Sequence, residues 1–165
     1  LDYDLSSAIF KAFTAAGLRV PAIGKKVLIT VSDKDKNNRT LRLAKELSRI
    51  GYQIAATGKT AEFLTRNGLG NVEVLGKISE GKRDIVDEIA RGEIGLVINT
   101  PSHPNQDSIS DGFIIRRTAA EFLVPALTQI ETAEAFVDAL EKTTFTTIPV
   151  RCLSDFFPRS ALNSI

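Results

Sequence analysis

The chain has 165 residues, 43% of them hydrophobic and 25% charged, which excludes wholesale disorder and fits one domain with its own core. Lys and Arg number 21 against 20 Asp and Glu, and a net charge of +1 argues against a protein that holds nucleic acid by bulk charge. Cys152 is the only cysteine, so neither an internal disulfide nor a thiolate metal cage can form, and no apolar run approaches the ~20 residues that a membrane-spanning helix needs.

In chain order, Leu5, Ile9, Phe10 and Phe13 have helical spacing, with Gly17 as a stop and Pro21 and Gly24 in a linker. Lys26–Val31 (KVLITV) reads as a buried strand, and Ser32–Asn38 as a polar turn. Leu43, Ala44, Leu47 and Ile50 predict a helix over 40–50, ended by Gly51. Tyr52–Ala56 is a second strand, Thr57–Thr60 the loop after it, and 61–67 a short helix. Val72–Leu75 is a third strand, followed by a glycine-containing loop and a helix marked by Ile85, Val86 and Ile89. Gly95–Asn99 (GLVIN) is a fourth strand, and the long loop Thr100–Gly112 follows it. Ile115, Ala119, Phe122 and Leu123 give another helical face, Val124–Leu127 a last strand, and Ala133, Phe136, Val137 and Leu140 a final helix. Beyond Lys142 the periodicity is lost, and the tail is expected to be irregular.

Strands and helices alternate about five times, which predicts an α/β three-layer sandwich around a central, mainly parallel five-stranded sheet. Ligands of such folds bind beyond the carboxyl ends of the strands. Here those ends are Thr30-Val31-Ser32, Thr57-Gly58-Lys59-Thr60, Gly76-Lys77 and Asn99-Thr100, rich in hydroxyl, amide, glycine and lysine groups. Thr57–Thr60 can cradle an anion on free backbone N–H groups at a helix start, or Thr60 can simply cap that helix. It is not a nucleotide P-loop, because Gln53 stands where that motif needs a glycine. Lys36 and Lys77 lie in loops where a lysine reaches an anion as a point charge, or stays solvated. Asn99 and Thr100 are turn residues or ligand contacts. His103 reads as an exposed loop histidine. Asp84, Asp87 and Glu88 read as a solvated helix face. Arg116 and Arg117 start a helix after Asp111 and can hold the loop or a neighbouring domain through carboxylates. The convergence at one sheet edge points to a small anionic ligand.

Five segments carry a resemblance: ITVSDKDK (29–36), ATGKTAEFL (56–64), VLGKI (74–78), GEIGLVINT (92–100) and DGFIIRRTA (111–119). Together they resemble the C-terminal allosteric domain of the carbamoyl phosphate synthetase large subunit, which has the methylglyoxal synthase-like fold. The DKDK and DGFxIRR forms look most like synthetases of Gram-positive bacteria. The resemblance covers about residues 24–142. It implies a linker helix and connection over 1–23 from a preceding ATP-grasp half, an allosteric domain over 24–142, and a tail over 143–165. A chain starting at Leu1 and lacking methionine is, by the same reading, expected to be a segment of a longer protein.

By this resemblance the domain has no catalytic residue, metal or cofactor of its own. ATP and Mg or Mn belong to the parent ligase, and a cytoplasmic location is expected. It senses nucleotides: UMP first, with IMP, phosphoribosyl pyrophosphate or ornithine in different relatives. Lys36, Thr57, Thr60 and Lys77 would hold the effector's phosphate, with Thr30 beside it. Asn99, Thr100 and Asp111 would face the ribose or base. The implied partners are the other domains of the large subunit and a small glutaminase subunit, not nucleic acid or a membrane. A module used only for subunit contact is one alternative. A methylglyoxal synthase would carry a GGDxQ motif, whose aspartate takes the substrate's proton, but Ser79–Arg83 has no GGD. An IMP cyclohydrolase shares the VSDK string of Val31–Lys34 but continues into a DGRVKTLH-like segment that is missing here.

Overall fold

The computed structural model describes residues 1–76, 85–101, 111–144 and 150–156. Five strands form one sheet: β1 (Lys26–Thr30), β2 (Gln53–Thr57), β3 (Val72–Leu75), β4 (Ile94–Asn99) and β5 (Ala126–Leu127). Every pairing is parallel, and the order across the sheet is β3-β2-β1-β4-β5. β1 is therefore central, and the chain reverses its direction of travel across the sheet between β1 and β4.

A parallel sheet must be covered on both faces, because its crossovers lie there. Val27, Ile29 and Val31 join a core with Leu43 and Leu47 of α2 (Asn38–Ile50), Leu64 of α3 (Gly58–Arg66) and Phe136 and Leu140 of α6 (Ile130–Thr144). On the other face Leu28, Ala55, Leu75 and Val97 meet Ile85 and Ile89 of α4 (Ile85–Ala90) and Ile115 and Ala119 of α5 (Asp111–Glu121). The alternation along β1 reflects the two-residue period of a strand. α1 (Leu5–Ala15) lies on α6, with the Phe13 and Phe136 rings edge to face at 5.3 Å. The helix ends are built from local chemistry. Asn37 caps α2 by accepting the Arg39 N–H at 2.9 Å, and Gly51 closes it at φ 113°, a conformation glycine adopts without strain.

β4 carries an irregularity that sets its facing. Lys26 pairs with Ile94 but Val27 pairs with Leu96, so Gly95 is an extra residue in the ladder. Ile94 and Leu96, which two-residue periodicity would put on one face, consequently enter opposite cores. The backbone at Gly95 comes so close to the 21–25 connection that a Cβ there would lie 2.7 Å from Pro21 Cβ.

Several boundaries differ from the sequence reading. The helix after Asp111 ends at Glu121, so Phe122 and Leu123 do not extend its buried face; they are 49% and 68% exposed. Leu123 has φ 56°, and the Val124 N–H turns back to the Ala119 carbonyl at 2.8 Å. That donor closes the helix end, and Pro125 has none, so β5 shrinks from the expected 124–127 to two residues. Glu88 is not solvated. It is 6% exposed and lies 2.8 Å from Lys26 Nζ, which Glu73 also approaches at 3.0 Å. Burial alone would lower the lysine's pKa, but the hydrogen bonds it donates to Glu88 and Glu73 outweigh it and raise it. Asp87 is solvated as expected, while Asp84 lies outside the described residues.

In the tail, 150–156 includes a 3₁₀ turn at Leu153–Asp155. Phe156 stacks on Tyr3 at 4.7 Å, Arg151 sits 5.1 Å from the centre of the Tyr3 ring, and the Tyr3 hydroxyl donates to the Asp155 carbonyl.

Gly95→Ala should lower stability by about 1–3 kcal/mol, because β4 or Pro21 must shift to admit the methyl group. A thermal melt is expected to show a fall of about 2–4 °C per kcal/mol lost.

Candidate functional site

β1 runs out of sheet partners at its carboxyl end, and side chains take over. The Val31 N–H donates to Thr60 Oγ1 at 3.3 Å, and the Ser32 N–H donates to Thr100 Oγ1 at 2.9 Å. The Thr30 carbonyl accepts Asn99 Nδ2 at 3.2 Å. The Thr30 hydroxyl accepts the Thr57 hydroxyl at 3.0 Å. Thr30, Thr57, Thr60, Asn99 and Thr100 are thus brought together at the crevice between β1 and its two neighbours. A parallel sheet of this order binds ligands at that crevice.

The Thr57–Thr60 stretch corrects one alternative from the sequence. Thr60 does not cap α3. The helix starts at Gly58, Thr57 holds the cap position, and Thr60 sits in the first turn with its hydroxyl on β1. Thr57 has the extended backbone of a cap residue, yet its side chain makes no cap hydrogen bond and turns to Thr30 instead. The first amides of α3 are left without a side-chain cap, at the positive end of the helix dipole. A Cβ at Gly58 would meet nothing within 4 Å, so space stands open beside those amides.

Lys36 follows a 3₁₀ turn at Asp33–Asp35, and its ammonium contacts the Asp33 carboxylate. The Asp33 carboxyl is held below its ordinary range by Lys36, and further by the charge of Lys59 at the start of α3. Lys36 thus pairs with a carboxylate that also feels the charge of Lys59, the second residue of α3.

Asn99 is buried and both ends of its amide are engaged. Nδ2 goes to Thr30, and Oδ1 accepts from Arg116 Nη1. Asn99 thus braces β1 against α5. Arg116 lies inside α5 rather than at its start, and it meets an amide, not a carboxylate. Arg117 pairs with Glu121 one turn on, at 2.9 Å. Asp111 is the first residue of α5, where a carboxylate also suits the helix dipole. Lys77, His103 and the 79–83 stretch lie outside the described residues.

One participant was missed in the sequence: Asp35, the partner of the strand-end Ser32. Ser32 Oγ donates to Asp35 Oδ2 at 2.6 Å, and the Asp35 carbonyl accepts the Thr40 hydroxyl at 2.6 Å. Burial pushes the Asp35 carboxyl up. Hydrogen bonds from Ser32 and Thr100 and the charges of Lys34 and Arg39 more than offset it, leaving the carboxyl below its ordinary value. A serine three residues before an aspartate at a strand end is the spacing of local hydroxyl–carboxylate turns, and it was the available signal.

Residues 39–128 match the family model described as the MGS-like domain. Among curated relatives, the chain is 41% identical over 155 residues to the C-terminal section of the carbamoyl phosphate synthase large chain of Methanopyrus kandleri. That match covers 94% of this chain and 28% of the relative. It is 37% identical over 160 residues to the carbamoyl phosphate synthase large chain of Archaeoglobus fulgidus, covering 97% of this chain and 14% of that one. The chain thus spans under a third of the length of either relative. Among solved structures, methylglyoxal synthase from Elizabethkingia anophelis superposes with a TM-score of 0.55 at 18% identity, over 78% of this chain and 95% of the other.

Asp35→Asn tests the hydroxyl–carboxylate knot. A carboxyl whose folded pKa lies below its ordinary 3.8 adds stability above that pH and loses it as pH falls through the lowered value. The variant should be less stable than the parent by about 1 kcal/mol at pH 7. Denaturant titrations at a series of pH values should show the gap closing as pH falls through and below the ordinary carboxylate range.

Proposed function

The chain belongs to the MGS-like domain family, and on that premise we propose that it is the effector-binding regulatory domain of a carbamoyl phosphate synthase large chain. It has no catalytic step of its own and takes a phosphorylated effector at the carboxyl edge of the sheet, UMP first among UMP, IMP and phosphoribosyl pyrophosphate, with ornithine as the unphosphorylated alternative. The observation that carries this reading is the uncapped start of α3. Thr57 spends its hydroxyl on Thr30, and Lys36 and Lys59 stand close by. Free helix amides with nearby cations suit a phosphate dianion.

In this reading Thr57, Thr60, Lys36 and Lys77 hold the phosphate with Thr30 beside them, and Asn99, Thr100 and Asp111 lie toward the sugar or base. Residues 24–142 are the sensing unit, and 1–23 connect it to the preceding ATP-grasp half. In the holoenzyme ATP with Mg or Mn, the remaining large-chain domains and a glutaminase subunit supply the chemistry. The DKDK and DGFxIRR strings support a parent of Gram-positive type. An effector that favours one of two states of the loops at 32–38 and 57–60 tunes the parent by a coupling free energy of about 1–3 kcal/mol.

Calorimetry and thermal melting with millimolar UMP, IMP, phosphoribosyl pyrophosphate and ornithine test the reading. Binding should raise stability by about 2.7 kcal/mol at a hundredfold excess over Kd. Silence with all four would end the proposal.

Gly58→Ala separates fold from site. It should leave stability unchanged or raise it by about 0.4–1 kcal/mol, since the methyl meets open space and φ is not positive. It should nevertheless weaken the effector, because the methyl enters the space the phosphate needs. Thr57→Ala and Lys77→Ala should each weaken binding about ten- to a hundredfold. Unchanged affinity in all three variants would place the phosphate elsewhere.

A further inference from the structure

The residues before α1 are held from three directions. The Asp2 side chain is 2% exposed, with Lys11 Nζ of α1 at 2.6 Å and Arg151 Nε of the tail at 3.4 Å. The Tyr3 ring meets the Phe156 ring at 4.7 Å between centres and the Arg151 guanidinium at 5.1 Å, and its hydroxyl donates to the Asp155 carbonyl. Asp4 caps α1 by accepting the Ser7 N–H at 2.8 Å, and Lys142 in the last turn of α6 approaches the same carboxylate at 3.6 Å. The tail has a shape of its own at these contacts. The Asp155 N–H donates to the Cys152 carbonyl at 3.0 Å, and the Cys152 N–H donates to Asp155 Oδ2 at 2.9 Å. A turn closed on itself thus carries Arg151 on one side and Phe156 on the other.

These contacts lie outside the packed interior. Among the described residues, neither core takes a member from 1–4 or 150–156, and Tyr3 itself is 66% exposed. A segment with no place in a core stays loose unless something ties it down, and segments tied only at the surface open at a lower free energy than the sheet. We propose that 150–156 is a strap that locks residues 2–4 onto the domain and opens as one unit while the sheet stays folded. Closed, it fixes the direction in which the chain enters α1. Open, it leaves α1 held through its packing on α6, where Phe13 meets Phe136. Arg151 is the pivot, because it touches both Asp2 and Tyr3. In a longer polypeptide, as both curated relatives are, that direction sets the angle at which the preceding part meets this domain.

The test uses the whole chain with a nitroxide on Cys152, its only cysteine and an exposed one. In the parent the nitroxide should broaden the amide NMR signals of Asp4 and Leu5. Tyr3→Ala and Arg151→Ala should each abolish that broadening, while broadening at Leu153 and Asp155 persists. The double variant should add nothing to either single one, as expected of contacts that open together. The amides of Leu28 and Ile29 in β1 should keep their protection from hydrogen exchange throughout. The unlabelled chain gives a second reading: Tyr3→Ala should shift the amide signals of Cys152 and Asp155, and Arg151→Ala those of Asp4 and Ser7. Should the probe itself open the strap, these unlabelled shifts decide; should Tyr3→Ala not fold, Tyr3→Phe, which loses the hydroxyl bond, takes its place. Sharp Asp4 and Leu5 signals in the labelled parent, together with unmoved signals in the unlabelled variants, would overturn the proposal. So would partial losses that add in the double variant, or protection at Leu28 and Ile29 that falls with the strap, since the tail would then belong to the cooperative fold. No ligand enters these measurements, so their outcome is independent of the proposed effector site.

Discussion

The structure turns on what happens where β1 leaves the sheet. Val27, Leu28 and Ile29 are fully buried, with a strand on either side and a core above and below. Beyond Thr30 the ladder stops while the surroundings stay buried, and a buried backbone donor or acceptor without a partner costs about 1–3 kcal/mol. Thr60 of α3 and the adjacent Asn99 and Thr100 at the end of β4 meet that demand. The short polar residues at the strand ends are thus required for folding before any ligand arrives. Thr57 differs from them. Its hydroxyl serves another hydroxyl rather than a strand-end backbone group, and its choice leaves the α3 amides unattended.

The two edges of the sheet solve opposite problems. At the amino edge Lys26 is enclosed by Glu73 and Glu88, a closed charge arrangement. Removing one partner of such a buried set typically costs about 3–5 kcal/mol, so it resists change. At the carboxyl edge, among the described residues, Lys36 pairs with Asp33, whose carboxyl also feels the charge of Lys59, and Arg116 donates to the Asn99 amide. That difference suits the proposed reception of an anion at the carboxyl edge.

Much of the architecture was legible because it rests on local patterns. KVLITV is a buried strand by composition, and Asn37 and Gly51 bracket α2 by cap chemistry. The grouping of Thr30, Thr57, Thr60, Asn99 and Thr100 followed from the rule that parallel strands gather their carboxyl ends on one side. What escaped depends on contacts between distant residues. Glu88 looks like any helix carboxylate until Lys26, on a strand 62 residues away, comes under it. Phe122 and Leu123 fit the helical period, but the Leu123 turn and the Val124–Ala119 bond end the helix first. The bond from Arg116 to Asn99 needs α5 placed on β4, which periodicity does not provide. The extra residue at Gly95 was invisible because a two-residue period cannot announce its own interruption.

The central place of β1 has a consequence for how the chain acquires its fold. β1 and β2 are close in sequence and can pair early, but the other side of β1 waits for β4. Until Ile94–Asn99 has emerged and docked, a strand with a fully buried apolar centre presents an open, unpaired edge during synthesis. Long-range parallel pairing of this kind is slow, and such an edge invites pairing with another chain. Lys25 and Lys26 at its start, and the glycine that interrupts β4 opposite them, break the flat apolar run at its first residue. The same irregularity that divides Ile94 and Leu96 between two cores is also the place where a misregistered or foreign strand would find the poorest fit.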